Sequence, residues 1–215
     1  MCGIAGYIGR KPLEQKNVAR TLDLMKNRGP DNSDFFSCET NGLYVSLLHS
    51  RLSIIDLDKR SNQPFVIGNQ IVVFNGEIYN YVELREEMVS QGVEFKTSSD
   101  TEVLLQAYIK YGKKCVDKFE GMWSFAIFDR NNEKLFLSRD RFAEKPLFYI
   151  ETPFGFYFGS EIKFIKALSE KRLAVNHSQI KRYLVNGYKS LYKQEETFFE
   201  EVKELSFAFN MIINR

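Results

Sequence analysis

The chain has 215 residues, 44% of them hydrophobic and 27% charged, the balance of a globular protein with enough apolar material for one large domain. Its net charge of +2 comes without a basic run, so no nucleic-acid partner is indicated. Three cysteines and two histidines lack the spacing of a zinc site. No apolar run approaches the ~20 residues of a membrane span, and the N-terminus turns polar too early for a signal peptide. Sparse, reduced thiols suit a cytoplasmic chain that makes no membrane contact.

Residues 3–9 read as a strand and 14–26 as a helix with Val18, Leu22 and Met25 on one face. "RGPD" (28–31) ends that helix, because Gly and Pro break helices. Residues 43–48 form a strand, and "RLSII" (51–55) is extended. "QIVVFNGEIYN" (70–80) is a β-branched run containing Asn75-Gly76. A charged helix over 80–91 stops at Gly92, and a second over 98–112 starts with a capping box, Ser99 to Glu102. "WSFAIFD", "KLFLSRD" and "PLFYIE" are strands, and the turns "RNNE" and "TPFG" make hairpins. "GFYFGS" pairs back, a short helix covers 161–168, and another starts near Asn176 or Ser178. Strands joined by short turns, with helices in separate groups, imply an antiparallel α+β layered domain. No phosphate-binding glycine loop occurs.

Cys2 stands one residue from the start. If Met1 leaves, Cys2 carries both a thiol and an α-amine, with reference pKa values of about 8.5 and about 7.7–8.0. That pairing is what an N-terminal nucleophile uses: the amine takes the thiol proton as sulfur attacks a carbonyl. A packed strand cysteine is the competing reading. Asn75 and Gly76 offer an amide and a backbone N–H for an oxyanion, but Asn-Gly is equally the signal of a tight hairpin. Arg51 could grip a carboxylate and Asp100 an ammonium; a surface strand arginine and a helix-start acid are the plainer alternatives.

In order along the chain stand "MCGIAGYIG", "RGPD", "HSRLSIIDL", "QPF", "VFNGEIYNYVELR", "SDTEVLLQAY", "GMWSFAIFD" and "RDRFAEKPLFY…FGSEIK". Together they resemble the glutaminase domain of glutamine-hydrolysing asparagine synthetases, a class II glutamine amidotransferase domain, over residues 1–187. The resemblance implies an N-terminal-nucleophile hydrolase fold, a four-layer αββα sandwich of two antiparallel sheets between helices. It implies hydrolysis of L-glutamine to glutamate and ammonia through a Cys2 thioester. The oxyanion hole falls on Asn75 and Gly76. The glutamine clamp falls on Arg51, on the backbone of Leu52, Ser53, Ile54 and Ile55, on Glu77 and on Asp100. No metal or cofactor is implied in this chain; ATP and Mg belong to the synthetase domain that follows in the family. Expected partners are glutamine and a synthetase domain or subunit, with a homo-oligomer also open.

Two departures stand out. Ala143 replaces the family's usual Gly in "RDRFAEKP". Residues 188–215 resemble the segment leading toward a synthetase domain, yet read Leu205-Ser206-Phe207-Ala208 where the family has a Pro-Gly stretch, and no "SGG" loop follows. Exposed Phe198, Phe199, Phe207 and Phe209 are expected there. Rival readings are a non-catalytic partner-binding remnant, and the glutaminase subunit of a surface-polysaccharide amidotransferase.

Overall fold

The computed structural model describes residues 1–187 and 195–214. In chain order the strands and helices are β1 (Gly3–Gly9), α1 (Gln15–Met25), β2 (Asn32–Thr40), β3 (Leu43–Arg51), β4 (Phe65–Ile67), β5 (Gln70–Ile78), α2 (Tyr81–Ser90) and α3 (Asp100–Tyr111). After a 3-10 segment at Gly112–Lys118 come β6 (Gly121–Asp129), β7 (Lys134–Arg139), β8 (Phe148–Thr152), β9 (Gly155–Gly159), α4 (Ile162–Ser169), α5 (His177–Asn186), β10 (Lys203–Glu204) and β11 (Asn210–Asn214). One sheet has the order β10-β8-β9-β1-β3-β2 and the other β11-β7-β6-β5-β4. Every ladder is antiparallel.

Strand alternation decides what each layer contains, since successive side chains point to opposite faces. In β1, Ile4 and Ile8 face the gap between the sheets, while Ala5 and Tyr7 face outward. In β3, Val45 and Leu47 point into the gap; in β5, Ile71 and Val73 do so. β6 and β7 close the other side with Ala126, Phe128, Leu135 and Leu137. The outer face of the six-stranded sheet is covered by α1 and α4 through Val18, Met25, Phe164, Ile165 and Leu168. The outer face of the five-stranded sheet is covered by α2 and α3 through Leu84, Met88, Val103, Leu104 and Leu105. The result is the expected helix–sheet–sheet–helix stack, with three buried layers each removing aromatic and aliphatic area from water at roughly 25 cal/mol per Å².

Three details depart from the sequence reading. Asn75-Gly76 makes no hairpin: β5 runs straight through it, with Asn75 paired to Ser124 and Gly76 to Trp123. A Cβ on Gly76 would sit 2.1 Å from Met122 O, so glycine here serves close strand approach. The "RLSII" stretch is strand only at Arg51; residues 52–55 form a loop. The capping box is half built. Ser99 Oγ accepts from Glu102 N at 3.2 Å, but the Glu102 carboxylate takes the N–H groups of Lys96 and Thr97.

β10 pairs with β8 and β11 with β7, so the C-terminal stretch adds an edge strand to each sheet. Phe207 and Phe209 are exposed, while Phe198 and Phe199 are half-buried. The start of the connecting segment, 188–194, and Arg215 lie outside the described residues. Among the described residues no helix is long and apolar enough to cross a membrane.

Candidate active site

The alternation that fills the inter-sheet gap also builds a cleft at its end. Cys2 precedes β1 and keeps the parity of Ile4, so its side chain enters the gap. Arg51 ends β3 in phase with Val45 and Leu47. Asn75 and Glu77 follow Val73 on β5. Asp100 opens α3 and is buried against β5, where its Oδ2 accepts the Ile78 N–H at 3.1 Å. One cleft is lined by Cys2, Arg51, Leu52, Ile54, Ile55, Asn75, Gly76, Glu77 and Asp100, joined by Met1, Gln63, Met122 and Lys145. Of the ten residues singled out in the sequence, only Ser53 lies outside this lining; its N–H is turned to Asp31 Oδ2 at 2.7 Å.

Cys2 Sγ is 3.4 Å from Leu52 N and 3.6 Å from Leu52 O. Burial pushes the thiol above its ordinary value, opposed by the Leu52 N–H, the terminal ammonium and Arg51. The resting sulfur is therefore a protonated thiol that needs a base. His49 does not supply one. Burial drives its pKa down to about 3, its Nε2 faces Phe74 O at 3.1 Å, and it is absent from the cleft lining.

Asn75 is 1% exposed, and its Nδ2 reaches Ser124 Oγ at 3.5 Å, which leaves its second amide hydrogen for another acceptor. Arg51 is arranged differently from a simple fork. Its Nη1 donates to Asp58 O at 3.0 Å and Asn62 Oδ1 at 2.7 Å, and its Nη2 to Ile55 O at 3.5 Å and to Asp56 O. The guanidinium thus ties down the loop after β3, and Arg51 is at the same time part of the cleft lining. Asp100 is raised to about 6, chiefly by burial, with Glu77 adding to the rise and backbone N–H groups opposing it.

Sequence reasoning assigned "RGPD" only a helix-ending role. The structure shows it as a brace. Arg28 Nε donates to Cys2 O at 2.9 Å while Nη1 pairs with Glu161 at 3.1 Å. Asp31 accepts from Ser53 N, and its own N–H reaches Arg51 O at 3.0 Å. Gly29 packs so closely that a Cβ would be 2.3 Å from the Ser50 carbonyl carbon. The signal available was a charged pair flanking Gly-Pro, which reads equally as an ordinary turn. Gln63 was also missed as a bridge: Oε1 accepts Phe74 N at 2.6 Å, and Nε2 reaches Thr101 Oγ1 at 3.3 Å. Among the described residues no group of three metal-ligating side chains converges.

An antiparallel αββα stack, here with a cysteine just ahead of its first central strand, is the fold of the N-terminal-nucleophile hydrolases. Solved structures agree on the fold: a Bacillus subtilis glutamine phosphoribosylpyrophosphate amidotransferase superposes with a TM-score of 0.72 at 16% identity, covering 99% of this chain and 47% of that one. The model of the glutamine amidotransferase domain family matches residues 1–215, and the chain belongs to that family. Relatives include asparagine synthetase (glutamine-hydrolyzing) 3 of Bacillus subtilis, 36% identical over 185 residues, 83% of this chain and 29% of that protein. Asparagine synthetase (glutamine-hydrolyzing) 2 of the same organism is 36% identical over 223 residues, 100% of this chain and 29% of that protein. The chain thus spans under a third of the length of these two relatives.

Proposed function

We propose that this domain hydrolyses L-glutamine with Cys2 as nucleophile and its own α-amine, freed by loss of Met1, as base. The observation that carries this reading is the meeting in one cleft of a thiol, an amide donor, a cation and an anion. Glutamine is an α-amino acid, so its carboxylate suits the charge of Arg51, and its ammonium suits Asp100 with Glu77 beside it. That grip at one end sets the distance at which the side-chain amide reaches Cys2 Sγ.

The amine accepts the thiol proton as sulfur attacks the amide carbon. The carbonyl oxygen becomes an oxyanion that takes hydrogen bonds from Asn75 Nδ2 and the Gly76 N–H, each donor worth on the order of 3 kcal/mol. Collapse breaks the C–N bond, and the ammonium of Cys2 returns its proton to the leaving nitrogen, which departs as ammonia. The γ-glutamyl thioester is then attacked by water, activated by the same amine, to give glutamate and the free thiol. With relatives named as glutamine-hydrolysing asparagine synthetases, the ammonia is directed to a synthetase unit that activates a carboxylate with ATP; that acceptor chemistry lies outside this domain.

The test is glutamate release from glutamine by the purified chain, beside a Cys2→Ala variant. Release by the first and none by the second is expected. Equal release by both would refute the reading.

A further inference from the structure

Lys145 lines the catalytic cleft with Cys2, Gly76 and Asp100, and it is only 6% exposed, yet the reaction above gives it no part. The loop that presents it is fixed by Arg139 and Asp140 at its start. Asp140 Oδ2 accepts Lys145 N at 3.0 Å and Trp123 N at 3.2 Å, and Oδ1 accepts Phe142 N at 2.9 Å and Glu144 N at 3.0 Å. Arg139 Nε donates to Lys145 O at 2.8 Å and Nη2 to Ala143 O at 3.0 Å. The backbone on both sides of Lys145 is thereby held, and Nζ reaches Met1 Sδ at 3.3 Å.

A thioether is a weak acceptor, and among the described residues Lys145 has no carboxylate partner. A buried ammonium without an anion is unfavourable, so its retention at a cleft calls for a use of the charge. Loss of Met1 removes that sulfur and leaves Nζ facing the space beside the new α-amine.

We propose that Lys145 is a positioning residue of this site, whose ammonium keeps the freed α-amine of Cys2 unprotonated and so available as the base. The proposal rests on the glutaminase reading above. Its physics is like-charge repulsion: a second cation close by disfavours protonation of an amine. The other charged or titratable groups of the cleft are the Cys2 thiol, Arg51 from β3, Glu77 from β5 and Asp100 from α3; Arg28, bonded to Cys2 O, is paired with Glu161 ahead of α4. Glu77 and Asp100 act in the opposite sense. Arg51 directs its Nη groups to the loop after β3, and Arg28 is neutralised in an ion pair. Among the described residues, Lys145 is the cation in this set whose terminal nitrogen has only the methionine sulfur as a partner.

The experiment compares wild type, Lys145→Met and Lys145→Arg in chains shown by mass to lack Met1. Chains labelled with 15N-cysteine report the α-amine titration directly by NMR, without any turnover. In Lys145→Met the midpoint should rise by about half a pH unit or more, and in Lys145→Arg it should stay near wild type. The acidic limb of kcat/KM for glutamine should move with it. Lys145→Gln provides a second neutral side chain should the Met variant not fold. An unmoved midpoint in a folded neutral variant overturns the inference, as does an equal rise in Lys145→Arg. A shifted midpoint in a chain that turns over no glutamine supports the Lys145 effect while overturning the glutaminase reading.

Discussion

Cys2 Sγ is in contact with both polar groups of the Leu52 backbone, at 3.4 Å from the nitrogen and 3.6 Å from the oxygen. The contact follows from register. Gly3 pairs with Ser50 across β1 and β3, so the residues just beyond, Cys2 and the start of the 52–55 loop, are brought side by side. Cys2 and the 52–55 loop are one mechanical unit, braced by Arg28 on the Cys2 carbonyl and Asp31 on Ser53.

Asp100 gives a pH dependence with a fixed sign. Burial raises its carboxyl to about 6, above the ordinary 3.8. Between those values the folded chain binds more proton than the unfolded chain, so this group's contribution to stability is present below about 4 and lost as pH rises through about 6. Asp100→Asn should therefore raise the melting temperature more at pH 7.5 than at pH 4. Substrate binding runs the other way, because an ammonium needs the ionised form. KM for glutamine should climb below pH 6 in wild type. In Asp100→Asn it should be about 10- to 100-fold higher at pH 7.5 and flat in that range.

Arg51 ties down the loop after β3 and, in the proposed reaction, also holds the substrate carboxylate. Arg51→Lys keeps the charge but a single ammonium cannot span Asp58 O, Asn62 Oδ1, Ile55 O and Asp56 O. Expected are a lower melting temperature and a KM raised about tenfold, with kcat less affected, since the held end of the substrate does not react. Calorimetric glutamine binding on a Cys2→Ala background checks the affinity. Unchanged affinity would exclude the clamp.

Ala143 holds φ of +56°, the left-handed region that glycine occupies without strain. The loop thus holds a conformation suited to glycine, with Arg139 Nη2 donating to Ala143 O at 3.0 Å. Ala143→Gly should stabilise the chain by up to ~1 kcal/mol, about 2–4 °C in a thermal melt. A neutral or lower melt would mean the loop is relaxed around alanine.

Gly29→Ala should do the reverse. Its Cβ would press on the Ser50 carbonyl carbon at 2.3 Å and Arg51 N at 2.5 Å, both backbone atoms that cannot swing away. A loss of about 1–3 kcal/mol is expected by denaturant titration, with glutamine KM raised through displacement of Arg51.

Much of this architecture is legible in the residues, because long runs such as 70–78 and 121–129 are apolar on both faces and sit inside a stack. β2 is not legible: "NSDFFSCET" is an edge strand, polar on one side, without the β-branched enrichment that marks a strand. β10 and β11 are equally hidden, since a two-residue strand and a short run gain their form only from partners far away in sequence. Asn75-Gly76 is ambiguous for a different reason. The same dipeptide suits a turn or a close strand contact, and only the approach of Met122 O decides. Family motifs supplied the membership of the cleft, but not its mechanics. That Arg51 braces its own loop, and that Lys145 stands in the cleft, depend on side-chain directions no linear pattern contains.

The most direct test of the account is intact mass and glutamine turnover measured on the same preparations: wild type, Cys2→Ala, and a chain in which Met1 is retained. The account predicts that active wild type lacks Met1, that an electrophilic glutamine analogue adds once and at Cys2, and that both comparison chains release no glutamate above background. Turnover at the wild-type rate by the Cys2→Ala chain, or by a chain still carrying Met1, would contradict it.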